Sequence, residues 1–102
     1  MVGAAVAYSA PVFVVSAGSP VIGSATYDPP SIAAGGVATT TVTATGAAVG
    51  DVSLASFSLD LAGLIITSYV SAANTVTVKL YNPTAGAIDL ASGTLRVKVI
   101  DQ

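Results

Sequence analysis

Residues 64–82 read LIITSYVSAANTVTVKLYN, and this stretch decides the fold class. From Thr75 to Asn82, valine and leucine alternate with threonine, lysine and tyrosine. Alternation with a period of two is typical of a strand that buries one face. Leu64 to Val70 predicts a second strand, and residues 71–74 have the length of a hairpin loop in which Asn74 tolerates a positive φ. The stretch therefore predicts an antiparallel hairpin.

The end of the chain, Thr94 to Asp101, repeats this alternation. Valine and leucine occupy one face of the predicted strand, and Thr94, Arg96 and Lys98 occupy the other. With Lys79 on the outer face of the hairpin, all three basic residues of the chain are expected to point outward from just two strands.

Shorter β-branched segments lie before, between and after these strands. Further strands are predicted at Ser24–Asp28, Val37–Thr45 and Val52–Ser58, with a short edge strand around Ile88–Leu90. Glycine, proline, asparagine and aspartate punctuate the segments, and Pro29-Pro30 ends the first of them. Six to seven short strands at this spacing predict an all-β fold, a small antiparallel β-sandwich of immunoglobulin-like or jelly-roll-like type.

A sandwich needs a row of apolar side chains on the inner face of each sheet. The alternation assigns that role to the larger aliphatic residues of the predicted strands. The expected inward residues are Val42, Val52, Leu54, Ile66, Val70, Val76, Val78, Leu80, Leu95, Val97 and Val99.

The first 22 residues are apolar and small, and we interpret residues 1–22 as an N-terminal arm or added strand before a sandwich body at 23–102. A secretory signal is not predicted, because no lysine or arginine precedes the apolar stretch and Pro11 interrupts it. At the centre of the arm stand Val12, Phe13, Val14 and Val15. The arm either adds a strand to its own sheet or inserts into a neighbouring subunit by strand addition.

Charge is scarce along the whole chain. Eight of 102 residues are charged, the formal net charge is −2, and histidine, cysteine, tryptophan and glutamate do not occur. Most enzymatic acid–base and nucleophilic chemistry uses histidine, cysteine, glutamate or a metal that they hold, so the composition predicts a protein that is not an enzyme and binds no cofactor. Three basic residues predict neither a nucleic-acid partner nor a membrane partner.

The five aspartates have a structural interpretation and a chemical one. Asp28, Asp51, Asp60 and Asp89 stand beside predicted turns, and Asp101 stands at the end of the chain. Aspartate favours turns because its side chain hydrogen-bonds to nearby backbone groups. A catalytic pair would need two carboxyl groups held together, and a calcium site would need several oxygen ligands in one loop. No Asp-x-Asp or Asp-x-Asn spacing occurs, and no metal site is predicted.

Five short segments of the sequence, taken in this order and spacing, form a distinctive pattern. They are GSATYDPPSIAAG at residues 23–35, VGDV at 49–52, VSAANTVTV at 70–78, NPT at 82–84 and IDLASGTLRV at 88–97. Together they resemble a small β-sandwich module of the structural proteins of tailed bacteriophages, and most closely a capsid decoration, or cement, protein. The resemblance covers about residues 23–100.

This resemblance implies a function but transfers no catalytic residue. It implies a homotrimer on the outer surface of the virion, bound between capsomers of the major capsid protein and stabilising the shell. The alternative in the same family is a head- or tail-fibre tip that binds a receptor or glycan, for which Tyr8, Tyr27, Tyr69 and Tyr81 would supply flat aromatic surface. A hydrolase using Asp51 or Asp60 is the third alternative.

For the assembly function, the candidate contacts are the arm and the outward residues of the two C-terminal strands and the hairpin. Lys79, Arg96 and Lys98 are expected to form one small basic patch. The candidate interface residues are Val12, Phe13, Val14, Val15, Tyr69, Lys79, Tyr81, Arg96 and Lys98.

Overall fold

The computed structural model describes residues 21–100, which form six β-strands and contain no helix. The strands are β1 (Val21–Tyr27), β2 (Val37–Thr43), β3 (Val52–Phe57), β4 (Ile65–Ala72), β5 (Thr75–Tyr81) and β6 (Gly93–Ile100). They pair antiparallel into a first sheet of order β1-β6-β3 and a second sheet of order β2-β5-β4. The predicted all-β antiparallel sandwich is confirmed. Within residues 21–100 there is no helix with the length and apolar character needed to cross a membrane.

The inner faces of the two sheets bury aliphatic side chains in two clusters. The larger core cluster joins both sheets and contains Val42, Ala44, Ala47, Val70, Val76, Val78, Leu95, Val97 and Val99. A smaller cluster at the opposite end contains Ile32, Ala38, Leu64 and Leu80. The alternation of β5 and β6 is therefore confirmed, because these two central strands contribute Val76, Val78 and Leu80 and Leu95, Val97 and Val99 to the core.

In one strand, β3, the side chains predicted to point inward point outward. Val52 and Leu54 of β3 are exposed, whereas Ala55 and Phe57 pack against the core. The reason is the register with β6, which places Ala55 opposite Val97. Residues that face each other across two neighbouring strands share one side of the sheet, so Val52 and Leu54 point outward.

The hairpin between β4 and β5 is tighter than predicted. Its loop is Ala73-Asn74 rather than four residues, and β4 continues through Ala72 with an irregularity in register between Val70 and Ala72. Asn74 has a φ of 63°, so the prediction of a positive φ there is confirmed. Asparagine adopts this left-handed conformation more readily than most residues.

The edges of the body also differ in detail. Because β1 begins at Val21, Val21 and Ile22 pair with β6, and the division predicted between residues 22 and 23 falls inside a strand. The predicted edge strand around Ile88 is wrong: Ile88 makes a single antiparallel bridge with Ile32. Val12 to Val15, with the rest of residues 1–20, lie outside the described residues, as does Asp101.

Small side chains let the two sheets approach each other at both lateral edges. On one side, Ser53 of β3 and Ser68 of β4 share a hydrogen bond of 2.9 Å between their hydroxyl oxygens. On the other side, β1 passes β2 at the buried Gly23, where a Cβ would lie 2.3 Å from the carbonyl oxygen of Thr43. Only glycine leaves room for that contact.

The fully buried side chain of Asn82 joins two loops at one end of the sandwich, residues 28–36 and residues 82–92. Its amide nitrogen donates to the carbonyl oxygens of Ile32 and Gly86, each at 2.8 Å. Its amide oxygen accepts hydrogen bonds from the backbone nitrogen of Thr84 at 2.9 Å and from the Thr84 hydroxyl at 2.6 Å. Its backbone nitrogen donates to Gly36 and its carbonyl oxygen accepts from Gly35. Both donors and the acceptor of the amide are thus satisfied without solvent.

At the other end of the sandwich, the side chain of Asn74 makes one hydrogen bond, compared with four for Asn82. Its exposed side-chain oxygen accepts a 2.8 Å hydrogen bond from the backbone nitrogen of Gly46. Two backbone hydrogen bonds, with Ala44 and Ala47, hold the same loop against the hairpin. This side chain acts only as an acceptor, unlike that of Asn82.

We expect Gly23→Ala to destabilise the protein by about 1–3 kcal/mol, because the new Cβ meets backbone rather than a side chain that can move. Urea denaturation followed by tyrosine fluorescence measures the change. Ser24→Ala, at the exposed next position of the same strand, is the control and should leave the midpoint nearly unchanged. An unchanged midpoint for Gly23→Ala would contradict the close crossing of β1 and β2.

The two asparagines give a matched pair of substitutions. In Asn82→Asp the carboxylate keeps an acceptor for Thr84 but faces the carbonyl oxygens of Ile32 and Gly86 without a donor. We expect a loss of at least about 2 kcal/mol in the free energy of unfolding at neutral pH. Asn74→Asp keeps its acceptor role and should change the same quantity by less than about 0.5 kcal/mol. Equal losses for the two variants would contradict the structural role of Asn82.

Candidate interaction surfaces

The outer face of the first sheet carries two of the chain's cations among aliphatic side chains. We call it the basic face, and it consists of Ile22, Ser24, Thr26, Val52, Leu54, Ser56, Thr94, Arg96, Lys98 and Ile100. The register places Lys98 between Ile22 and Leu54, which are 66% and 58% exposed. Arg96 lies one row away, flanked by serines on both neighbouring strands.

An open groove of about 390 Å³ follows the middle of the basic face. Ile22 of β1 and Leu54 of β3 contribute to its walls, and Arg96 and Lys98 of β6 line it between them. Val52 and Ile100 form the next row of the sheet, and both are exposed. One half of the basic face is therefore apolar around a lysine, and the other half is polar around an arginine.

The outer face of the second sheet is dominated by threonine. We call it the threonine face, and it consists of Val37, Thr39, Thr41, Thr43, Ile65, Thr67, Tyr69, Thr75, Thr77, Lys79 and Tyr81. One row across the three strands is apolar, formed by Val37, Tyr81 and Ile65, all of them exposed. The next row places Lys79 between Thr39 and Thr67.

The predicted basic patch does not form. Arg96 and Lys98 lie on the basic face, whereas Lys79 lies on the threonine face, and the two faces point away from each other on opposite sides of the sandwich. The prediction failed because alternation shows that a residue points outward but not which sheet it belongs to. Tyr69 and Tyr81 do share the threonine face with Lys79. The four predicted arm residues lie outside the described residues.

Several apolar residues of these surfaces were not predicted. Ile22, Val52 and Leu54 on the basic face and Val37 and Ile65 on the threonine face are exposed by about half or more. The signal that locates Val52 and Leu54 is Phe57, since the largest apolar residue of β3 occupies the opposite phase from them. For Ile22, Val37 and Ile65, exposure depends on how their strands pair with the neighbouring strands, which the local sequence does not show.

The exposed tyrosines do not make one aromatic platform. Tyr69 lies in the row of Thr77, and Tyr81 lies in the row of Ile65, with the Thr67–Lys79 row between them. Tyr27 is half-buried and packs against both core clusters. Flat stacking of a sugar ring on two tyrosines therefore finds no support among residues 21–100.

Two of the aspartates hold turns. The Asp51 carboxylate accepts a 3.0 Å hydrogen bond from the backbone nitrogen of Ala48, and the Asp60 carboxylate accepts one of 3.1 Å from that of Ala62. Each turn contains residues of positive φ, which such side-chain bonds help to hold. In the part of the chain that the structure describes, no three histidine, cysteine or acidic side chains lie together as a metal site would require.

A comparison with protein-family models gives no match for this chain, and a comparison with curated proteins gives none either.

Burial raises the pKa of the Tyr27 phenol above its ordinary value of about 10. The unfolded chain therefore ionises at this residue at a lower pH than the folded chain does. The contribution of this phenol to the free energy of unfolding is complete below its ordinary pKa and is lost as the pH rises through the raised pKa. We expect the free energy of unfolding of the wild type to fall above about pH 10, and that of Tyr27→Phe to fall less over the same range.

Urea midpoints measured across the alkaline range test this expectation. The control is Tyr69→Phe, which removes a phenol from the exposed threonine face. A Tyr27→Phe variant with the same alkaline decline as the wild type would contradict the link to the buried phenol.

Proposed function

We propose that this chain is a non-enzymatic structural protein of a tailed-bacteriophage virion, which assembles as a homotrimer and binds the outer capsid surface between capsomers. The observation that carries the proposal is the apolar character of both outer faces of the sandwich. Ile22, Val52 and Leu54 on one side and Val37 and Ile65 on the other are left exposed.

A surface of this kind fits contact with other proteins. Large exposed apolar areas on small domains mark interaction sites, and the central part of a protein interface is depleted in charge. Threonine and serine fill most of the remaining outward positions on both faces, and such side chains cost less to remove from water than charged ones. Both faces are therefore suited to being covered.

The resemblance to the phage module supports the same proposal through residues that have structural roles. The NPT phrase supplies the buried Asn82 and its partner Thr84, and VSAANTVTV supplies the tight hairpin with Asn74 at positive φ. VGDV supplies the turn held by Asp51. These phrases therefore supply the turns and the buried amide that hold the sandwich together.

Binding to the assembled shell would stabilise it by mass action. A protein that binds the closed shell but not its dissociated subunits shifts the equilibrium toward the shell by an amount that grows with its concentration above the dissociation constant. At about one hundred times that constant, each site contributes about 2.7 kcal/mol. This stabilisation needs no catalytic group.

Particles of the parent phage with and without this protein test the proposal. We expect the protein to co-sediment with intact particles, and particles that lack it to release DNA at a lower temperature, with recovery when the purified protein is added back. Glycan binding by the isolated protein without binding to particles would contradict the proposal in favour of a fibre tip. A stable monomer at about micromolar concentration in sedimentation would contradict the trimer.

A further inference from the structure

We propose that the basic face, and not the threonine face, is the surface that binds the shell, and that its partner there presents carboxylates set among apolar side chains. This inference rests on the proposed function and adds to it the orientation of the protein and the chemistry of its partner. It follows from the arrangement of charge and apolar surface on β1, β3 and β6.

The two cations of the basic face have no acidic neighbour on that face. Its ten outward residues include Arg96 and Lys98 but no aspartate. The four aspartates within residues 21–100 all lie in loops, although the chain as a whole carries more acidic than basic residues. The basic face is therefore a local reversal of the chain's net charge.

Covering this face requires an opposite charge from the partner. Lys98 is flanked on both sides by exposed aliphatic residues, Ile22 and Leu54, so apolar contact with these two residues would also remove the ammonium group from water. A cation buried without a partner charge is strongly unfavourable, whereas a carboxylate placed against it offsets part of the lost hydration energy. The groove lined by all three residues and Arg96 sets where such a carboxylate would lie.

A second copy of the same face does not meet this requirement. In a contact related by a twofold axis, each face meets its own copy, so two further cations would approach Arg96 and Lys98 instead of carboxylates. Residues 1–20 of the chain contain no charged side chain and supply no carboxylate either. In the heterologous contacts of a trimer, this face would instead meet another surface of the neighbouring copy, where each of the four described aspartates lies in a separate loop. We therefore assign the face to a different protein that presents acidic and apolar side chains together.

The threonine face has a weaker claim to this partner. It offers a single cation, Lys79, and that residue is flanked by Thr39 and Thr67 rather than by aliphatic side chains. Its apolar row of Val37, Tyr81 and Ile65 lies beside the lysine row rather than around it. Apolar contact there leaves the ammonium group of Lys79 at the margin, in reach of water.

The experiment measures binding of the full-length protein to parent shells from which the native protein has been removed. Two matched pairs of variants compare the faces: Leu54→Ser with Ile65→Ser, and Lys98→Glu with Lys79→Glu. We expect each change on the basic face to weaken binding by at least about tenfold, which corresponds to about 1.4 kcal/mol. The changes on the threonine face should weaken binding by less than about threefold. Circular dichroism and the urea midpoint establish that each variant is folded.

The outcomes separate this inference from the proposed function. Wild-type protein that does not bind the shells contradicts the proposed function itself. Wild-type binding that is lost through Lys79→Glu and Ile65→Ser, but not through the basic-face changes, overturns the inference and leaves the proposed function standing. A basic-face change that alters the sedimentation of the free protein but not its shell affinity assigns the face to a second copy and also overturns the inference.

Salt gives an independent measurement. If carboxylates of the shell meet Lys98 and Arg96, wild-type affinity should fall as the ionic strength rises, and the fall should be smaller for Lys98→Gln. Wild-type affinity that does not depend on salt would overturn the acidic character proposed for the partner.

Discussion

The buried amide of Asn82 is the interaction on which the rest of the architecture depends. It follows the last residue of β5, the central strand of the second sheet, and its four side-chain hydrogen bonds fix the loops that contain Ile32, Thr84 and Gly86. Those loops close the smaller core cluster and connect each sheet to the other. An apolar residue could fill the same space, but it would remove all four of these hydrogen bonds and leave the backbone nitrogen of Thr84 without its acceptor. The fold thus buries the Asn82 amide and satisfies all of its hydrogen-bonding groups.

The sequence was sufficient to predict the parts of the fold in which composition and pairing agree. In β5 and β6 all large apolar side chains before the last residue occupy one phase of the alternation, so their inner faces were predicted correctly. In β3 both phases contain apolar residues, Val52 and Leu54 in one and Ala55 and Phe57 in the other. The number of apolar residues in each phase could not choose between them, whereas the position of Phe57 and the register with β6 both place Ala55 and Phe57 on the inner face. The extra pairing of Val21 and Ile22 likewise depends on contacts distant in sequence.

The candidate surfaces were less predictable than the core for a related reason. Alternation correctly assigned Lys79, Arg96 and Lys98 to outward positions. Whether outward residues are neighbours depends on which sheet each strand joins, and strand order is a property of the whole chain. β5 and β6 belong to different sheets, so the three cations are divided between two faces. The scarcity of charge was visible from composition, while its placement required the topology.

The position of Pro83 has a consequence for the lifetime of the molecule. Asparagine side chains deamidate when the backbone nitrogen of the following residue attacks the side-chain carbonyl carbon and closes a five-membered ring. That nitrogen must lose a hydrogen, and a proline nitrogen has none. The amide of Asn82 is therefore protected chemically as well as by burial. Asn82, whose side chain holds the two loops together, therefore cannot deamidate by this route, and its hydrogen bonds are not lost slowly through that reaction.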